Sequence, residues 1–137
     1  TLVQGVENNK NALGYFGFSY YEQNSDKLNL VEIDGGNGCV APSAETIQDG
    51  SYTPLSRPIF IYVKEKSVQR PEVRKFVEFY LKEGGALTRE VGFVDLPAAA
   101  YELALKNFNE GKPGSGFGGK SEVGLKVEEL LAREGKL

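Results

Sequence analysis

The chain has 137 residues, a formal charge of −3, 40% hydrophobic and 26% charged residues, one Cys and no His. That balance is globular rather than disordered, and with a pI near 5.1 it excludes a strongly basic nucleic-acid binder driven by counterion release. It also excludes Cys/His zinc centres, His-dependent triads and internal disulfides, and no apolar run reaches the about 18 residues of a transmembrane helix.

In chain order, Leu2, Val3 and Val6 share a helical face, and Asn8-Asn9-Lys10-Asn11 ends it. Leu13–Phe18 (LGYFGF) is expected as a short buried strand, bent at Gly17. Ser19–Asn24 follows as a single helical turn. Leu28–Ile33 (LNLVEI) is expected as a second strand. Asp34–Pro42 (DGGNGCVAP) is a loop by composition, and its Cys39 is read as a small buried filler. Ser43 looks like an N-cap with Glu45 in the first turn, and Gly50 ends that helix. Ser51–Pro58 (SYTPLSRP) is extended, because Pro54 and Pro58 bias the residues before them. Ile59–Val63 (IFIYV) is too short for a helix and too uniform for a half-exposed strand, so it is expected as a central strand buried on both faces.

Pro71–Glu83 is the clearest helix, with Pro71 at its first position and Val73, Phe76, Val77, Tyr80 and Leu81 on one stripe. Gly84-Gly85 is expected to stop it, and Ala86–Val91 to form another helical stretch. Pro97–Glu110 is a further helix, with Tyr101, Ala104, Leu105 and Phe108 inward and Gly111 as its end. Lys112–Lys120 is a Gly-rich loop, and Glu122–Glu134 a last helix with Leu130 and Leu131 inward. The order is α/β, yet three strands make a thin sheet. The sheet looks unfinished. The chain also lacks Met and starts at Thr1, so it is read as processed, cut or part of something longer.

Several residues carry candidate chemistry. Gly114–Ser121 fits G-x-x-x-x-G-K-[ST], whose amides, Lys120 and Ser121 would hold phosphates and a metal. That motif needs a strand running into it, whereas a helix precedes this one, so a Gly-rich surface loop is the better reading. The carboxylates Glu128-Glu129 and Glu32 with Asp34 sit as neighbours rather than converging from separate elements. Tyr15, Phe16, Tyr20 and Tyr21 could line a cleft, but read better as core. Ser56-Arg57 beside the apolar run is a conceivable anion contact, read more simply as a surface crossover. Lys64, Lys66, Arg70, Arg74 and Lys75 alternate with Glu65, Glu72 and Glu78, a mixed surface and not a nucleic-acid patch. No catalytic residue, metal ligand or cofactor is assigned.

Taken together, ALGYFGFSYYEQNSDKLNLVEID, PSAETIQDGSYTPLSRPIFIYV, RPEVRKFVEFYLKEG and VGFVDLPAAAYELA resemble the C-terminal part of the phosphate-binding proteins of ABC phosphate importers, the PstS type. Residues 111–119 look like the tail of a cyanobacterial-like branch. The resemblance implies an incomplete type II periplasmic-binding-protein fold: the end of the second lobe (1–52), a hinge crossover (53–58) and the C-terminal part of the first lobe (59–137). It implies inorganic phosphate and a membrane permease as partners of the full-length protein, and a periplasmic or extracytoplasmic location with a lipid anchor upstream. The family's R-x-x-x-S-G-T anion loop and its proton-accepting carboxylate are absent here, so the ligand-binding residues are unknown and expected upstream. The chain alone is then not expected to bind phosphate tightly, and a homodimer or domain swap would cover its exposed strands. A free-standing interaction module and a P-loop phosphate or nucleotide binder at 114–121 stand as alternatives.

Overall fold

The computed structural model describes residues 1–120, 122 and 125–136. Its elements run α1 (Leu2–Glu7), α2 (Phe18–Glu22), β1 (Ile33–Asp34), β2 (Cys39–Val40), α3 (Ala44–Gln48), α4 (Glu65–Val68), α5 (Pro71–Glu90), α6 (Ala98–Glu110) and α7 (Val127–Glu134). The sheet found among the described residues is one antiparallel pair, with Ile33 opposite Val40 and Asp34 opposite Cys39. This is a helix-rich, partial α/β arrangement.

Local signals mark several helix ends. Ser43 caps α3 reciprocally: its hydroxyl accepts from the Thr46 amide at 3.1 Å, and the Thr46 hydroxyl accepts from the Ser43 amide at 2.9 Å. Pro71 opens α5, where its missing N–H is not needed. Gly111, at φ 68°, closes α6 in the left-handed conformation.

Gly84-Gly85 does not stop α5, which continues to Glu90 as one helix. The two glycines serve packing instead. Tyr101 of α6 lies over them, and β-carbons built at 84 and 85 would stand 3.1 and 3.5 Å from its ring. The turn comes at Gly92, at φ 80°. α5 packs mainly on α6, and α6 on α7. Among the described residues the core is small and includes Leu28, Val77, Leu81, Ala100, Val127 and Leu130. The inward stripe of α6 is shifted from expectation, with Ala100 and Asn107 buried, Tyr101, Leu105 and Phe108 half-buried and Ala104 exposed. α7 starts at Val127, later than the expected Glu122, and buries Leu130 while Leu131 is half-buried. Ser121, Val123 and Gly124 lie outside the described residues.

The three expected strands are the main correction. Leu13–Phe18 and Ile59–Val63 carry no ladder, and of Leu28–Ile33 only Ile33 is paired. Ile59 is 71% and Tyr62 85% exposed, so the segment expected to be buried on both faces lies open. The reason is physical: a strand is made by its neighbours, and an apolar run without partner strands has no ladder in which to place its N–H and C=O groups.

The accessible surface is 9894 Å². A compact monomer of 15.0 kDa exposes about 7,000 Å². The chain therefore leaves roughly 3,000 Å² uncovered relative to a self-sufficient fold of its mass.

Candidate functional site

The segment 51–58, which includes the crossover expected at 53–58, joins the N-terminal elements to the apolar run. It begins where Asp49 caps α3 and accepts from the Ser51 amide at 2.7 Å. The Ser51 hydroxyl and amide, helped by the charge of Lys126, hold the Asp49 carboxyl below the usual carboxylate range. Ser56 donates its hydroxyl to the Tyr52 carbonyl at 2.6 Å, folding the crossover back on itself. On its other side the crossover meets the β1–β2 hairpin, where a β-carbon at Gly35 would collide with the Thr53 carbonyl. Burial is the main cause that pushes the Tyr52 phenol up, with Tyr15 adding to it.

Ser56, Arg57 and Pro58 line a cavity of about 30 Å³ with Phe117, Glu122, Leu125 and Leu130. That is room for about one water and far too little for a phosphate. Its lining also includes the Glu122 carboxylate beside Arg57. Arg133 donates to both Glu122 oxygens, at 2.8 and 2.9 Å, and holds this carboxyl low and ionised. Arg57 itself is exposed. The Ser56-Arg57 pair is thus placed in a crossover next to a carboxylate, not in an anion cradle.

The Gly-rich loop makes different use of its amides from a phosphate loop. Gly116 donates to the Glu134 carboxylate at 2.6 Å, while Gly118 and Lys120 donate to the Ser115 and Phe117 carbonyls. Phe117 stacks edge-on against Phe60, with centroids 5.3 Å apart. Helix α6, not a strand, leads into this loop, and Ser121 lies outside the described residues.

The remaining candidates do not converge. Tyr15 and Tyr20 are exposed and Phe16 and Tyr21 half-buried, so this aromatic group is not the core that it resembles in sequence. Phe16 and Tyr20 contact each other edge-on, with centroids 6.4 Å apart. Asp34 turns its carboxylate onto the Gly36 and Gly38 amides, away from Glu32 chemistry, and Glu129 pairs with Arg133 at 2.7 Å. Cys39 is a free and exposed thiol rather than buried filler. Among the basic residues, Arg70 pairs with Glu72 and Arg74 with Glu78, and Arg74 also sits 5.4 Å over the Phe108 ring, which keeps this surface mixed. No cluster of three or more potential metal ligands is found among the described residues.

Sequence reasoning missed one concavity, a groove of about 400 Å³ between α5 and α6. Leu81, Gly85, Tyr101 and Leu105 line it, as do Arg89 and Asp95, which pair with each other. The signal was available: a Gly-Gly pair inside an amphipathic helix marks close approach as readily as an end.

Comparison with known proteins gives consistent findings. A family described as a PBP superfamily domain matches residues 1–83. Protein SphX of Synechococcus elongatus is 50% identical over 135 residues, spanning 98% of this chain and 40% of that protein. The phosphate-binding protein PstS of Staphylococcus haemolyticus is 45% identical over 111 residues, 80% of this chain and 35% of that protein. The crystal structure of a possible phosphate binding protein from Planctomyces limnophilus matches with a TM-score of 0.70 and 42% identity, over 82% of this chain and 40% of that one. The chain thus spans about 40% of the length of the SphX relative.

Proposed function

This chain belongs to the PBP superfamily, and from that premise we infer that it is part of a phosphate receptor for ABC-type import rather than an enzyme. The observation that carries this reading is the likeness, at a TM-score of 0.70 and 42% identity, to a solved protein described as a possible phosphate binding protein. The uncovered surface supports it. Roughly 3,000 Å² beyond the compact expectation, with an apolar run lying open at 59–63, is what part of a larger sheet leaves when its neighbours are elsewhere.

The division follows the resemblance. Residues 1–52 close the second lobe of the receptor in its C-terminal part, 53–58 are the hinge crossover, and 59–137 complete the first lobe. Phosphate contacts come from polypeptide outside this chain; in support, the Gly116 amide is already engaged by Glu134 and the Ser56-Arg57 cavity has room for about one water. The isolated chain accordingly binds phosphate weakly and self-associates through its open apolar segment at 59–63. In the whole receptor, the partners are inorganic phosphate and a membrane permease, at an extracytoplasmic location with an upstream lipid anchor. Among the described residues, no helix is long and apolar enough to cross a membrane.

A graft tests the reading. The part of this chain that matches the Planctomyces limnophilus protein replaces its counterpart there, and phosphate binding is measured calorimetrically beside that parent. A folded chimera that keeps the parent's affinity within about tenfold, or about 1.4 kcal/mol, is expected. A chimera with native-like circular dichroism and no phosphate binding contradicts it.

A further inference from the structure

We propose that Asn37 is a site of spontaneous modification, in which the Gly38 amide converts its carboxamide to aspartate or isoaspartate, and that Asp34 slows the reaction. The chain has eight Asn, and Asn37 is the one followed by Gly. In this chemistry the next residue's nitrogen must reach the side-chain carbonyl, so a following side chain obstructs it and glycine does not. A β-carbon built at Gly38 would meet nothing within 4 Å, so the loop has room around the attacking group. Every residue from Asp34 to Cys39 is exposed, so water and hydroxide have free access.

Other asparagines are held away from this path. The Asn8 and Asn24 carboxamides donate to Gln4 and Tyr20 carbonyls at 2.8 and 2.9 Å. Asn107 is buried and donates to the Glu134 carbonyl at 3.0 Å. Asn24-Ser25, a pair with a small following residue, is thus restrained at a helix end.

The step balances without a co-reactant other than water. The Gly38 nitrogen attacks Cγ of Asn37, loses its proton to solvent base, and closes a five-membered imide as the carboxamide nitrogen leaves as ammonia. Water then opens either imide carbonyl, giving a carboxylate on the side chain or a main chain longer by one methylene. Either product adds a negative charge to the formal −3. The second also disrupts the two-residue register of Ile33 with Val40 and Asp34 with Cys39, in a hairpin whose Gly35 abuts Thr53 of the crossover.

Asp34 is the brake. Its Oδ1 accepts from the Gly38 amide at 3.1 Å and from the Gly36 amide at 2.8 Å, and the Gly38 nitrogen must leave this bond before it can attack. An exposed bond of this kind is worth about 1 kcal/mol, or about a fivefold rate difference.

The test is peptide mapping by mass spectrometry after incubating the full chain in mildly alkaline buffer. The peptide holding Asn37 is expected to gain a single dalton before any other Asn peptide does. Asp34→Ala should speed that gain about fivefold, and Asn37→Gln should abolish it while keeping the fold. Asn37 remaining intact while another Asn converts overturns the site. An Asp34→Ala rate equal to or below the parent's, with unchanged circular dichroism, overturns the brake.

Discussion

The Tyr101 ring lies across Gly84, its Cε1 only 3.1 Å from where a β-carbon would stand, while the neighbouring Gly85 leaves 3.5 Å. The two glycines therefore differ in what they tolerate. Gly85→Ala meets ordinary contact and gains helix propensity, so it should stabilise the chain by up to about 1 kcal/mol. Gly84→Ala should gain less, because the ring must give way. Gly84→Val should destabilise by about 1–3 kcal/mol by forcing α5 and α6 apart. Urea unfolding of the three variants checks this order.

The reciprocal cap at α3 predicts a second loss. Ser43→Ala leaves the Thr46 amide without its acceptor and should cost about 1 kcal/mol. Its neighbour Ala44 presents an exposed side chain on the same turn, and Ala44→Ser should change stability by under about 0.5 kcal/mol. The urea midpoint distinguishes the two.

Acid should weaken the fold through Asp49 and Glu122. Both carboxyls are held below their ordinary values, by Ser51 and by Arg133 respectively. A lowered folded value means the stabilisation is present above the unfolded carboxylate range and is lost as pH falls through the folded values. Both groups are exposed, so the effect should be small and screened by salt. Thermal melts across the acid range should show the decline, and Asp49→Asn should flatten it.

Ile59 and Tyr62 present open apolar surface on an unpaired extended segment. Such edges invite pairing between chains, and lysine on them opposes it. Ile59→Lys with Tyr62→Lys should lower self-association without loss of helix content. Light scattering across concentration reads the first and circular dichroism the second; unchanged association in the double variant would count against this edge.

The helices were legible in the sequence because their causes are local. Pro71, the Ser43 cap and Gly111 act within a turn of themselves, so their pattern survives whatever surrounds them. The strands were not, because Ile59–Val63 has an apolar run but depends on partners that the described residues do not supply. Gly84-Gly85 misled for a related reason: the same residues can end a helix or admit a ring, and only Tyr101, on another helix, decides between them. The site was readable mainly as a negative. The run 114–121 has the spacing of a phosphate cradle, but the described part of it, to Lys120, is arranged by Glu134 and by its own turns.

Calorimetric titration of the isolated chain with inorganic phosphate bears most directly on the account. No saturable heat at micromolar phosphate is expected, because the proposed reading assigns the contacts for the anion to polypeptide outside these residues. Submicromolar binding by this chain alone would contradict it.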